Sequence, residues 1–339
     1  MTAAFPTIQD VARAAGVSTA TVSRALSYPE RVTESTRRRV VAAIDATGYA
    51  PNQTARNLRR RTTGSIVVLV PNIGNPFFSQ ILAGIEQAAS AAGYTVLICD
   101  TEQHGRRDEG LRAWLRTNRA DGWISLDGAL SPSLFDEGEG RRATAIFACE
   151  WNDRTGLPSV RCDNAGGMAL AVAHLIELGH RAIGHVMGPL ENVLTLARFE
   201  GYRRGLQAAA IALRTDWLFA GDFSLNSGAD AARRWAAMDD RPSAMVLASD
   251  AMACGFISEL HRMGLSVPEA VSVVGFDDID IAGRFIPALT TVHQPRIAIG
   301  IAAFETLAQG LRDPSQTGAD ENCRLLPVEL IVRESTRRV

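Results

Sequence analysis

The sequence predicts a small helical head followed by two lobes of α/β structure, each a doubly wound parallel sheet. Three observations carry this. The first fifty residues hold three segments with apolar residues at helical spacing. From Ser65 onward, short β-branched or apolar runs alternate with amphipathic segments, and βαβα order means parallel sheets with helices on both faces. Charge divides in the same way. Residues 1–62 contain ten arginines and four acids, a formal +6, and the remainder carries −8. A basic head on a larger acidic body is the distribution of a nucleic-acid-binding module joined to another domain. A length of 339 residues accommodates two or three domains, and a hydrophobic content of 46% is ample for their cores.

The head is organised around Ile8 to Leu26, IQDVARAAGVSTATVSRAL. Ile8, Val11, Ala12 and Ala15 mark a first helix, and Gly16 ends it, since glycine enters the left-handed region at least cost. Ser18 is placed to cap a second helix. Val22 and Leu26 can then face the first helix, which leaves Thr19, Ala20, Ser23 and Arg24 outward. Small polar residues and an arginine on the free face of a short helix suit a DNA major groove. An ordinary helical hairpin with a solvated face is the alternative. Thr33 can cap a third helix, with Val40, Val41, Ala43 and Ile44 as its apolar stripe up to Gly48. Such a head has a thin core.

Pro51 to Gly64, PNQTARNLRRRTTG, follows. It reads either as a flexible, charged linker or as a short helix that forms only on DNA, with arginines on phosphates and Leu58 as an apolar wedge.

In the body, strands are expected at Ile66–Val70, Thr95–Cys99, Trp123–Leu126, Ala145–Ala148, Ala182–Val186, Ala244–Leu247 and Val271–Val274. Helices are expected at Ser79–Ala92, Arg106–Arg116, Ala169–Leu178, Arg198–Ala209 and Ala251–Met263. So much alternating structure exceeds one comfortable core, and the chain divides into two lobes near Asp163. Ligands of such sheets sit beyond the carboxyl ends of the strands. At those exits stand Asn75 to Phe78, Gly221-Asp222-Phe223, Ser249-Asp250 and Phe276-Asp277-Asp278, with Arg198 at a helix start. An arginine, carboxylates and aromatic rings suit a small ring-shaped polar ligand. One of Phe77 and Phe78 is expected to be core packing. Asp277, Asp278 and Asp280 could form a metal site, but no matching histidine or glutamate accompanies them.

Several chemistries are excluded or disfavoured. The chain has no lysine, which removes the Walker A loop and Schiff-base catalysis. Its five scattered cysteines include no CxxC pair, so neither a zinc site nor a disulfide framework is indicated. The six histidines show no HExxH spacing, and no apolar run reaches the length of a membrane span. No basic-then-apolar signal segment opens the sequence, so a cytoplasmic, reducing setting is expected.

The motifs together resemble the lactose-repressor (LacI/GalR) family of bacterial transcription regulators over essentially the whole chain. The resemblance rests on IQDVARAAGVSTATVSRAL in the head and on Tyr49-Ala50-Pro51-Asn52 through Ala55 and Leu58. In the body it rests on NPFF (75–78), HLIELGHRAIGHVMGP (174–189), RFEGY (198–202), SDAMACG (249–255), SVVGFDDI (272–279) and LTTVHQP (289–295). VPNIGNPFFSQIL, GDFS and LIVRESTR look most like the cytidine-repressor branch. The resemblance implies a periplasmic-binding-protein-like body: a head at 1–50, a hinge helix and linker at 51–63, and an effector domain at 64–339. Lobe 1 would span about 64–163 and 293–321, and lobe 2 about 164–292 and 322–339.

It also implies roles. Thr19, Ala20 and Arg24 would read base edges, with Arg24 on a guanine. Thr7, Ser18, Thr21, Ser23, Asn52, Ala55 and Arg59 complete the DNA-contacting set, and Leu58 would enter the minor groove. Arg198, Asp277 and Phe223 stand where members hold an effector. Asn75, Phe77, Phe78, Glu150, Trp151, Asp250 and Gln294 stand at positions that line it. Ser249 and Glu150 replace an Asn and an Asp common in relatives. The implied protein is a repressor that binds a near-palindromic operator as a homodimer and answers to a nucleoside or sugar, with no cofactor, no metal and no membrane. No leucine heptad precedes Arg337-Arg338-Val339, which favours a dimer over a tetramer. The competing expectations are a sugar- or nucleoside-binding protein of a transport system, against which the basic head argues, and an enzyme, for which no GxSxG, metal triad or phosphate loop is visible.

Overall fold

The computed structural model describes residues 6–49, 63–102, 109–117, 120–138, 141–142, 144–313 and 323–339. They belong to two compact units, which divide between Thr63 and Gly64. The hinge positions Asn52, Ala55, Leu58 and Arg59 lie outside the described residues.

The first unit has three helices: α1 (Ile8–Ala15), α2 (Thr19–Ser27) and α3 (Glu34–Thr47). At the start of α1, Asp10 Oδ2 accepts from the Thr7 backbone N–H at 2.9 Å. Gly16 ends α1 at φ 63°, as a left-handed exit requires. Ser18 Oγ caps α2 by accepting from Thr21 N at 3.1 Å, and Thr33 Oγ1 accepts from Thr36 N at 3.4 Å on α3. Val11, Ala12, Ala15, Val22, Ala25, Val40 and Ala43 are buried together, with Ile8, Leu26 and Ile44 packed around them. Val41 departs from the expected stripe. It is 52% exposed, because Val40, Ala43 and Ile44 already fill the face that meets α1.

The second unit has two six-stranded sheets. The first orders β13 (Cys323–Leu326), β7 (Ser159–Cys162), β6 (Ala145–Ala148), β3 (Gly122–Ser125), β1 (Ser65–Val70) and β2 (Thr95–Asp100), all parallel. The second orders β14 (Glu329–Ile331), β12 (Thr290–His293), β11 (Ser272–Asp277), β10 (Ala244–Leu247), β8 (Ile183–Val186) and β9 (Leu218–Phe219), with only β14 antiparallel. A small hairpin, β4 (Asp136–Gly138) and β5 (Arg141–Arg142), stands apart. The chain crosses between lobes at Asp163, again at Gln294-Pro295 and a third time at Pro327-Val328. The third crossing differs from the sequence expectation. The expected bounds place residues 323–326 in lobe 2, yet Leu325 and Leu326 pair with Arg161 and Cys162 and extend the first sheet.

The helices are α4 (Phe77–Ala91), α5 (Glu109–Thr117), α6 (Asn164–Glu177), α7 (Val193–Ala208), α8 (Leu225–Ala236), α9 (Asp250–Arg262) and α10 (Arg296–Arg312). Sequence spacing missed α8 and α10. After Leu225, α8 continues with Asn-Ser-Gly, poor helix formers. α10 buries residues on nearly every side, which blurs its period. α4 and α10 cross at two glycines. A Cβ on Gly84 would lie 2.2 Å from the Ile297 carbonyl oxygen, and one on Gly300 would lie 2.1 Å from that of Ile81. This crossing brings the amino end of α10 beside that of α4, and Arg296 beside Phe77.

Gly300→Ala should therefore force the helices apart and cost about 1–3 kcal/mol, as other overpacked sites do. Urea unfolding is expected to show a lower midpoint at unchanged slope. An unchanged midpoint would contradict the close crossing.

Candidate functional site

Two faces carry the chemistry, one in each unit. On the head, Thr7, Ser18, Thr19, Ala20 and Arg24 are exposed, and Thr21 and Ser23 are half-buried. α2 contains no acid. Arg13 pairs with Asp10, and Arg37 and Arg38 pair with Glu34, whereas Arg24 has no ion pair among the described residues. Its guanidinium is free to meet a base edge or a phosphate.

In the second unit, a cleft holding about 450 Å³ of space, part of it open to solvent, lies where strand exits of both sheets meet. Its lining includes Asn75, Phe77, Phe78, Glu150, Arg198, Phe223 and Asp277, seven of the expected ligand positions. Both phenylalanines reach it, packed edge to face at 5.2 Å, so neither is purely core.

Arg198, on α7, is 2% exposed. Its Nε donates to Asn164 Oδ1 at 2.9 Å, Nη1 donates to the Ala248 carbonyl, and the guanidinium lies 3.9 Å from the centroid of the Phe276 ring. Nη2 stands 3.5 Å from Asp277 Oδ1 and makes no hydrogen bond among the described residues. A buried donor left unpaired is costly, and a ligand oxygen would complete it. Asp277 also accepts from Gln294 Nε2 at 2.7 Å.

Four backbone positions at or next to the cleft lining have positive φ without being glycine: Cys149 (67°), just before Glu150, Phe223 (67°), Asp277 (125°) and Asp278 (51°). Such residues are held by their surroundings at some cost and cluster where side chains must be aimed. Gly188 makes room for Phe223. A Cβ there would fall 2.2 Å from the ring.

The remaining expected residues stand behind the lining. Asp250, fully buried, accepts from Thr291 Oγ1 at 2.5 Å and Ile279 N at 2.9 Å, while its neighbours Ser249 and Ala251 face the cleft. Gln294 holds Asp277. Trp151 carries the Arg161 guanidinium 4.3 Å over its ring and is not in the lining. Leu194, Ala251 and Ile279 line the cleft and are not among the residues the sequence points to. Ile279 stands two residues past β11, a strand-exit position that could have marked it. The acid cluster disperses: Asp277 faces Arg198, Asp278 pairs with Arg333 and His293, and Asp280 pairs with Arg296 and accepts from Gln80. Among the described residues no group of three metal-ligating side chains is assembled, and no helix is long and apolar enough to cross a membrane.

Burial, and after it the charge of Asp277, pushes the Asp250 carboxyl up to about 7. Burial also pushes Asp277 up to about 6, against the opposing pull of Arg198 and Arg296. Between pH 4 and 6 the folded chain therefore holds protons at these sites that the unfolded chain, with a carboxyl near 3.8, has released. Each contributes stability that declines as pH rises through this window. In Asp277→Asn that contribution is absent. The difference in unfolding free energy, wild type minus variant, should fall from pH 4 to 6 in urea titrations. A flat difference would contradict the raised carboxyl.

Comparison with known proteins agrees with this division. Residues 7–52 match the family model for bacterial regulatory proteins of the lacI family, and residues 172–336 match that for the periplasmic binding protein-like domain. The chain is 37% identical over 331 residues to the HTH-type transcriptional repressor CytR of Escherichia coli, covering 98% of this chain and 96% of that one. It is 35% identical over 332 residues to the HTH-type transcriptional repressor PurR of Photobacterium profundum, covering 98% of each. The lac repressor dimer bound to operator and the anti-inducer ONPF superposes with a TM-score of 0.82 at 31% identity, covering 98% of this chain and 99% of that one. The chain belongs to the lacI family of bacterial regulatory proteins. Within that class it is a helix-turn-helix, DNA-binding transcriptional repressor with a periplasmic-binding-protein-like effector domain.

Proposed function

We propose that two copies of this chain bind a near-palindromic operator through their α2 helices, and that a nucleoside or sugar in the cleft modulates the affinity. The carrying observation is the buried Arg198 guanidinium with a spare Nη2 beside Asp277, set among Phe77, Phe78 and Phe223. That arrangement offers a hydrogen-bond donor, an acceptor and apolar faces to a polar ring. Two-fold symmetry of the protein matches two half-sites in DNA. In this reading Thr19, Ala20 and Arg24 meet bases, while Thr7, Ser18, Thr21, Ser23 and Arg59 position the head. Asn52, Ala55 and Leu58 belong to a hinge whose leucine enters the minor groove. The cleft binds and releases without a catalytic step, and the site of action is the cytoplasm.

The effector acts by binding one lobe arrangement more tightly than another. Operator titration with and without cytidine, adenosine, ribose and galactose tests this, and no shift with any of them would count against it. Two substitutions separate the parts. Arg24→Ala should lose about 1–3 kcal/mol of discrimination between operator and altered half-sites, the worth of a bidentate guanine contact. An unchanged preference would refute the assignment. Asp277→Asn, which keeps an oxygen beside the buried Arg198, should abolish the ligand response while operator affinity without ligand persists, and a variant that still responds would place the pocket elsewhere.

A further inference from the structure

The chain leaves α2 through Tyr28-Pro29-Glu30-Arg31. Pro29–Arg31 make a single 3-10 turn, in which Arg31 N donates to the Tyr28 carbonyl at 2.9 Å. In such a turn the side chains of residues three apart lie one over the other. Pro29, at its first position, fixes the backbone there. Tyr28 and Arg31 have this spacing, and the Arg31 guanidinium lies 4.9 Å from the centroid of the Tyr28 ring.

The pair faces water. Tyr28 is 46% exposed, and the Arg31 side chain is 69% exposed. Neither belongs to the buried cluster of the head. Arg31 has a loose ion pair, its Nε 3.8 Å from Glu30 Oε1, which is beyond hydrogen-bond reach. Arg13, Arg37 and Arg38 hold their carboxylates at 2.8 to 3.2 Å. The head therefore presents a ring that fixes a guanidinium in place, and a guanidinium with N–H groups to offer another partner.

Its place in the head says which partner. α2 has nine residues, about 13 Å of helix, and the major groove is about 12 Å wide. A helix whose first residues, Thr19 and Ala20, meet base edges carries its other end to the rim of the groove, where phosphates stand. Tyr28 N still bonds to the Arg24 carbonyl, and the turn that bears Arg31 follows, so Arg31 lies past that end. The carboxyl end of a helix carries partial negative charge, which repels a phosphate, and a fixed cation beside it offsets that repulsion.

Resting on the assignment of α2 to the groove, we infer that Arg31, held on the Tyr28 ring, grips a backbone phosphate of the operator and sets the register of the head without reading sequence. Arg24 and Arg31 then divide the work, the first choosing the site and the second anchoring the helix on it. The ring orders the guanidinium before DNA arrives, which lowers the cost of making the contact.

The test is a titration of the full chain over a range of salt concentrations. One duplex is an operator selected by the wild-type chain from random sequences, and the other is the same duplex with an altered half-site. Arg31→Gln should weaken both by the same factor, about tenfold. It should also reduce the slope of log affinity against log salt by about 0.9 for each head. Tyr28→Leu should weaken both at a slope near that of wild type, since the charge remains. Tyr28→Phe, which keeps the ring, should match wild type. An Arg31→Gln variant with wild-type affinity and slope overturns the inference. One that weakens the operator far more than the altered duplex overturns the phosphate assignment in favour of a base contact. Tyr28→Phe as weak as Tyr28→Leu overturns the role of the ring. Arg24→Ala, measured alongside, keeps the two readings apart. Retained preference in that variant strikes the placement of α2, whereas an unchanged slope in Arg31→Gln strikes this inference.

Discussion

The effector domain depends on one buried guanidinium. Arg198 is out of water, and an arginine in such a place must be neutralised and hydrogen-bonded or the fold loses several kcal/mol. Its partners come from separate parts of the chain: Asn164 just after the first crossing, the Ala248 carbonyl at the exit of β10, Asp277 at the end of β11, and the Phe276 ring beneath. Lobe 2 is assembled around satisfying this side chain. Bringing Asp277 to Arg198 also brings it near Asp250, and both carboxyls are pushed up by burial. His185, on β8, is also fully buried; burial pushes it down to about 4 and keeps it uncharged, so it adds no positive charge near the arginine.

Around the cleft, polar contacts join the lobes beside an apolar cluster that runs through both. Glu150 meets Asn192, and Gln80 meets Asp280, which also pairs with Arg296. Polar contacts of this kind can be exchanged for contacts with a ligand or with water at small net cost. The two lobes are therefore suited to more than one relative arrangement, and a ligand that replaces Asn192 as a donor to Glu150 would bias the choice. Asn192 has two duties, since its Oδ1 caps α7 while its Nδ2 reaches across the cleft.

Much of this was legible in sequence because it follows from local rules. Gly16, Ser18 and Thr33 mark helix ends through backbone chemistry that needs no tertiary partner. The β-branched runs and the residues after them marked the cleft, since strand exits are where parallel sheets place ligands. What stayed hidden depends on long-range packing. α10 lies against α4 through Gly84 and Gly300, and its apolar residues point in every direction, so no period betrays it. β13 reads CRLL and is largely exposed, so nothing in its pattern says which sheet it joins. Asp250 looked like a ligand residue by position, yet its carboxylate turns inward to Thr291 and Ile279 N. Sequence can place a residue at a strand exit but cannot say whether its side chain faces the cleft or the support behind it.

The position of β13 bears on how the chain is made. This strand closes the edge of the first sheet beside β7, yet the whole of lobe 2 except its last strand lies between them in sequence. The head needs only neighbours close along the chain, so it can fold as soon as it leaves the ribosome. Lobe 1 cannot finish its sheet until nearly all of lobe 2 has been synthesised. The β7 edge stays open to wrong strands during that interval.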